Sequence, residues 1–416
     1  MPAQGRCQNS TAPDQWAVYY FSTTDHRSPT VNRGPPSAFG GQRLKEVDMQ
    51  KLFIVTVAFV ALALAACAPG APAPTPSPTF IAMPTAGARP TVPPPGELTL
   101  MTHDSFEASE SVVKEFETLA NVKLKILKSG DAGAALNKAI LAKGNPLADV
   151  FFGVDNTFLS RALKADIFDA YKPTQSFDLP KEFTLDPDFK LTPVDYGDVC
   201  LNYDRAYFTQ KNLAPPKTLD DLIKPEYKGL TVVQNPATSS PGLAFLLATV
   251  GQFGKDKYID FWKALRANDV LVTEGWSDAY YAKSTWSGKG GNRPIVVSYA
   301  TSPAAEVFFS SGKLTEPPTG NVLGDGACFR QIEFAGVLKG AKNIEAARKL
   351  IDFMLSKKFQ EDIPSQMFVF PVIASTQLPD FFKFAEKPQK PAIVSAADID
   401  ANRDAWIKAW TDAVLR

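Results

Sequence analysis

The chain has 416 residues, 45% of them hydrophobic, with 44 Lys+Arg balancing 44 Asp+Glu. That length leaves room for two domains with ample core, and the zero net charge draws the chain to neither nucleic acid nor anionic lipid. Two histidines, His26 and His103, are too few for a histidine-built metal site, and four cysteines without CxxC spacing do not make a disulfide framework.

Residues 1–48 carry no sustained periodicity and read as a disordered or non-native leader. Met49-Gln50-Lys51 followed by an apolar core, Leu52–Leu64, has the form of a secretory signal over 49–66. The core is shorter than the roughly 20 residues of a spanning helix. Leu64-Ala65-Ala66-Cys67 resembles the lipobox of bacterial lipoproteins, which makes Cys67 the expected acylated N-terminus of the mature chain. The plainer alternative is a cleaved signal with an incidental cysteine. Residues 67–97 are rich in proline, which blocks helices and sheet ladders, so they read as a tether from the lipid to a folded body. The expected location is extracytoplasmic, with the membrane touched through the anchor alone.

From Leu98 strands and helices alternate. Strand Leu98–Met101 precedes a helix at Ser109–Leu119, strand Lys123–Leu127, helix Ala134–Ala142, strand Val150–Phe152 and helix Asn156–Lys164. This order predicts an α/β architecture with a parallel sheet covered on both faces. Thr192–Asp204 is a long extended stretch that reads as a crossing between lobes. A return near 299 completes two lobes: 98–195 with about 300–345, and 196–299. Residues 346–416 read as helices packing on them, the last capped by Ser395 with Ile399, Trp406, Ile407, Trp410 and Val414 as a core stripe.

Four strand ends turn polar at once. Thr231–Gln234 runs into Asn235–Gly242, with Ser239-Ser240-Pro241, and Ile295–Tyr299 runs into Ala300-Thr301-Ser302-Pro303. Serine before proline is a helix start, where bare N–H groups favour an anion or a carbonyl. Strand Leu98–Met101 ends at His103-Asp104, and Val150–Phe152 at Asp155. Such ends gather at the carboxyl edge of an open sheet, where ligands bind; each taken singly is also an ordinary strand-to-helix turn. Between the serine turns, Val270–Thr273 delivers Trp276 to a polar helix start. An aromatic pocket of Trp276, Tyr299 and Tyr280 attracts cations, and Asp104, Asp155 and Asp198 are counter-charges or simple caps. Rings with carboxylates suit a flat cation, and hydroxyls at helix starts suit an attached hydroxyl or phosphate.

The segments LTLMTHDSFEASESVVKEFE, ADVFFGVDN, VDYGDVCLNYD, QNPATSSPGLAFLL, VTEGWSDAYY, VSYATSPA, RQIEFAG and IPSQMFVFPV occur in this order over residues 98–416. Together they resemble the thiamine-binding proteins of bacterial thiamine ABC importers. The resemblance implies a type II periplasmic-binding-protein fold, two hinged α/β lobes with a ligand cleft between them. It implies delivery of thiamine, or its mono- or diphosphate, to permease and ATPase subunits by a monomer with no cofactor, metal or catalytic residue. It places ligand contacts on Asp131, Ala132, Ser239, Ser240, Trp276, Tyr299, Ala300, Thr301 and Ser302, and less firmly on Asp104, Asp155, Tyr196 and Tyr280. In this division Trp276 and Tyr299 hold the ring system, while Ser239, Ser240, Thr301 and Ser302 take hydroxyl or phosphate oxygens. His103 stands where a tyrosine is expected and Phe368 where a tryptophan is, which leaves the choice among thiamine and its phosphates open.

Two alternatives remain at this point. A thiaminase-like enzyme would use Cys200 as nucleophile, which requires a base or a lowered thiol pKa. A receptor of the same fold for ferric ion or another small ligand would use the adjacent Tyr280 and Tyr281, with His103. With Cys67 lipidated and Cys7 lost with the leader, Cys200 and Cys328 are the pair left in an oxidising compartment, and are either a disulfide or two buried thiols.

Overall fold

The computed structural model describes residues 95–416. The leader, the signal segment, Cys67 and the tether up to residue 94 lie outside the described residues. Strand β1 (Gly96–Thr102) starts inside the last residues of the expected tether. It pairs in parallel with β2 (Val122–Lys128) and β3 (Val150–Asp155), in the order β2-β1-β3. The helix Glu110–Ala120 between β1 and β2 is capped by Ser109, whose Oγ accepts from Val112 N, and buries Val112 and Phe116 against the sheet. The helix Ala132–Leu141 between β2 and β3 is capped by Asp131.

After the short β4 (Phe168–Asp169), the expected crossing is a single 13-residue strand, β5 (Thr192–Asp204). A second parallel group follows: β6 (Thr231–Gln234), β7 (Leu271–Thr273) and β8 (Ile295–Tyr299), in the order β8-β6-β7. β9 (Thr319–Val322) pairs antiparallel with the far end of β5, so the chain does not return at 299. It returns on β10 (Phe329–Leu338), which lies between β3 and β5 and runs antiparallel to both. The short β11 (Phe370–Pro371) adds to β5. The full order is β2-β1-β3-β10-β5-β8-β6-β7. The expected parallel pairing is present in two groups, β2-β1-β3 and β8-β6-β7, and two antiparallel strands that run from one group to the other join them into one mixed sheet.

The second group is built around the helix Ser240–Phe253, buried from Ser240 to Val250. Its Thr249 hydroxyl accepts from the Trp262 indole at 2.9 Å, and Trp262 meets Trp410 edge to face at 5.6 Å. Such indoles each bury roughly 150–250 Å². Trp410 belongs to the final helix Ala396–Val414, whose Ile399, Trp406, Trp410 and Val414 are all buried, so that stripe is core. Cys200 of β5 and Cys328, just ahead of β10, form a disulfide that ties the two crossing strands together.

Candidate functional site

A cleft of about 580 Å³ opens where the carboxyl ends of β1, β2, β6, β7 and β8 converge. Its frame is Asp131. One carboxylate oxygen accepts Ala132 N at 2.7 Å and Ser240 N at 3.0 Å; the other accepts Ser239 Oγ and Trp276 N, both at 2.9 Å. A single carboxylate therefore satisfies the starts of two helices and the end of β7. Burial pushes its pKa up, against the pull of those hydrogen bonds and of His103. Close packing supports the same junction: Ala134 N donates to Thr238 O at 3.1 Å. A Cβ at Gly133 would lie 2.8 Å from that carbonyl oxygen, so the approach requires glycine.

One wall is aromatic. The Trp276 indole donates to Ser298 Oγ at 2.8 Å and stacks on Tyr280 with ring centroids 4.9 Å apart. Tyr299 stands edge-on to it at 6.4 Å, its hydroxyl donating to Gln331 Oε1 at 2.8 Å. The hydroxyl of Tyr280 points away from the cleft to the buried Glu306 at 2.6 Å. Burial raises the Tyr280 phenol well above its ordinary value, and Glu306 adds to that. Ser298 passes its contact on to Ser302 at 2.9 Å. Thr301 Oγ1 is buried on the cleft wall without a hydrogen-bond partner, at the start of the helix Ser302–Phe309.

The lining is also acidic. Asp104, Glu107, Asp131, Glu274, Asp278 and Glu333 line the cleft, and among the described residues lining it only His103 can carry positive charge. His103 Nε2 lies 3.2 Å from Glu333 Oε1. Burial pulls the His103 imidazole down, but Glu333, with Asp131 and Asp104, outweighs it and raises the pKa. Behind Glu333, directly across the β10–β5 ladder, is the fully buried Asp195. Burial and the charge of Glu333 hold Asp195 well above the usual carboxylate range. Glu333 is pushed up by burial but held below its ordinary value by His103 and by Asp195. A cleft of this make accepts a cation with a flat ring and a polar tail.

Of the residues singled out from sequence, Asp131, Ala132, Ser240, Trp276, Tyr299, Thr301, Ser302, Asp104 and Tyr280 all line this cleft. Four do not. Ser239 is fully buried behind it, spent on Asp131 and on capping its helix. Ala300, one residue past Tyr299, points to the other face and packs on the Cys200–Cys328 disulfide. Asp155 is sealed under the floor, where it accepts from Thr157, Phe158 and the hydroxyl of Ser240; burial raises it to about 7. Tyr196 belongs to a separate cluster, stacked on Phe370 at 5.4 Å and covered by Arg330 and Lys387. Asp198, a counter-charge candidate, is bound there to Arg330 through both oxygens. Sequence reasoning missed Glu333 and Gln331, although their spacing on one face of FRQIEFAGVL was a usable signal. It also passed over Thr238, Glu274, Gln366, Met367 and Val369, while Phe368, which the resemblance pointed to, lines the cleft with a left-handed φ of 56°.

Comparison with known proteins agrees with this geometry. The family described as bacterial extracellular solute-binding protein matches residues 145–402. A thiamine-binding periplasmic protein of Salmonella typhimurium is 32% identical over 332 residues, which cover 77% of this chain and 94% of that one. Its counterpart in Brucella melitensis is 30% identical over 348 residues, or 81% of this chain and 98% of that one. A solved structure of a periplasmic thiamin binding protein, 30% identical, superposes with a TM-score of 0.69 over 77% of this chain and 97% of that one. The type II fold with its two lobes, the position of the cleft and these likenesses lead to one conclusion: the chain belongs to the bacterial extracellular solute-binding proteins.

Proposed function

We propose that this chain captures thiamine outside the cytoplasm and delivers it to the permease and ATPase subunits of an ABC importer. The observation that carries the reading is the cleft itself, which is lined both by stacked Trp276 and Tyr280 with edge-on Tyr299 and by six carboxylate side chains. Aromatic faces and negative charge together hold a planar cation, each ring contributing roughly 0.5–2 kcal/mol. In this reading Trp276 and Tyr299 grip the ring system, while Ser240, Thr301 and Ser302 take the hydroxyl or phosphate end. Ser239, Asp155 and Tyr280 act by holding those groups in place. The first lobe contains β1–β3 and the second β6–β9, with β5 and β10 as the two crossings; closing of the lobes selects the ligand. The protein is a monomer moored by lipid at Cys67 through the Pro-rich tether, and it binds its cargo without transforming it.

The enzyme alternative required Cys200 as a thiolate. Its sulfur is bonded to Cys328, fully buried and away from the cleft. The ferric alternative required Tyr280 as a ligand, but that phenol is engaged by Glu306 and its ionisation is strongly disfavoured. Thermal-shift screening of the protein against thiamine, its two phosphates and ferric citrate tests the reading. A thiamine species at 100 times its Kd should stabilise by about 2.7 kcal/mol; a rise with ferric citrate alone would reject it.

A further inference from the structure

Two of the carboxylates facing the cleft differ in what they have left to give. Asp131 is committed to four donors. Asp104, Glu274 and Asp278 are exposed, where water screens them, and Glu107 is paired with Lys128 at the rim. Glu333 is buried, faces the cleft and has a single cationic partner, His103. His103 is itself tightly placed. A Cβ at Gly153 would lie 2.5 Å from its Cδ2, and the Phe152 ring centroid is 5.6 Å away. The charged groups facing it are Glu333 from β10, Asp131 from a helix start and its neighbour Asp104. Asp195 lies behind Glu333 on β5, and Tyr299 of β8 faces the same carboxylates.

His103 and Glu333 form a buried pair 3.2 Å apart, so a cation that reaches this carboxylate competes with the imidazole for it. A fixed positive charge brought against Glu333 while His103 is protonated would set two cations on one carboxylate in a site shielded from water, which is costly. Loss of one proton from His103 to solvent restores the balance. Resting on the assignment of a cationic cargo, we propose that Glu333 is the counter-ion for the ligand's positive charge and that His103 gives up its proton when that charge arrives. One buried carboxylate exchanges a proton-bearing partner for a ligand, and affinity is thereby linked to pH. Because the free protein binds the extra proton, ligand affinity rises with pH through the range where His103 titrates and levels off above it.

Titration calorimetry of thiamine into the full-length protein, in buffers of differing ionisation enthalpy, reads the released proton directly. The expected result is a buffer-dependent enthalpy near pH 7, and affinity increasing by up to about tenfold per pH unit below the plateau. His103→Gln should bind thiamine with both effects removed, and Glu333→Gln should weaken binding at least tenfold at every pH. Thiamine binding with no proton release, or release undiminished in His103→Gln, overturns the exchange while leaving the thiamine assignment intact. Absence of binding by any thiamine species overturns both.

Discussion

The carboxylate of Asp131 accepts the main-chain N–H of Trp276 at 2.9 Å, joining residues 145 positions apart in the chain. The indole that faces the cleft is thereby positioned by the cap of a distant helix. Asp131→Ala would strand the N–H groups of Ala132, Ser240 and Trp276 in a half-buried junction, at about 1–3 kcal/mol for an unsatisfied group. Urea denaturation should show a stability loss of at least that size, and calorimetry a parallel loss of thiamine affinity.

Trp276 itself offers the largest ring to the cleft, held by Ser298 at one edge and Tyr280 beneath. Trp276→Ala is expected to weaken thiamine binding at least tenfold, about 1.4 kcal/mol. Trp276→Phe should lose less, because a face remains for the cation. An unchanged Kd in the alanine variant would contradict the placement of the ring system.

Glu306 links Tyr280 to Thr319, and burial raises its carboxyl to about 7. The sign follows from linkage. A carboxyl bound more tightly to its proton in the folded state favours folding below its unfolded pKa and loses that contribution as pH rises towards 7. Glu306→Gln keeps the hydrogen-bonding shape without the charge. Relative to the parent, the variant should therefore be about 2–3 kcal/mol better off at pH 8 than at pH 4, measured by urea denaturation at both.

Cys200 and Cys328 close a loop of 128 residues. Replacing both with serine should cost about 2–5 kcal/mol, since the open loop restores conformational freedom to the unfolded chain. Unfolded, unreduced mature protein should yield no titratable thiol from this pair. Two thiols would contradict the bond.

Much of this was legible from residue order. Thr192–Asp204, Thr231–Gln234 and Ile295–Tyr299 occupy the strands expected of them. Short β-branched runs ending in Ser-Pro leave little choice of element. β10 was the main loss: Arg330, Gln331 and Glu333 interrupt its hydrophobic pattern because their side chains serve the cleft and the crossing, not the core. For the same reason the return of the chain, expected near 299, comes later, on β10. Ala300 and Ser239 sit in binding-motif sequences but face away; strand alternation and capping geometry decide which of two adjacent residues reaches a cleft. Glu333 and Asp195 escaped notice because cross-strand pairing between residues so far apart has no local signature.

The knot at Asp131 and the wall at 366–369 come from separate parts of the chain. Hydrogen bonds hold the former, while the latter presents Gln366, Met367 and Phe368 from a bend after the helix Lys357–Gln366. Substitutions along that bend can reshape the cargo's outline without disturbing the joinery that sets the indole. The outline of the cargo and the seating of the indole are thus set by different parts of the chain.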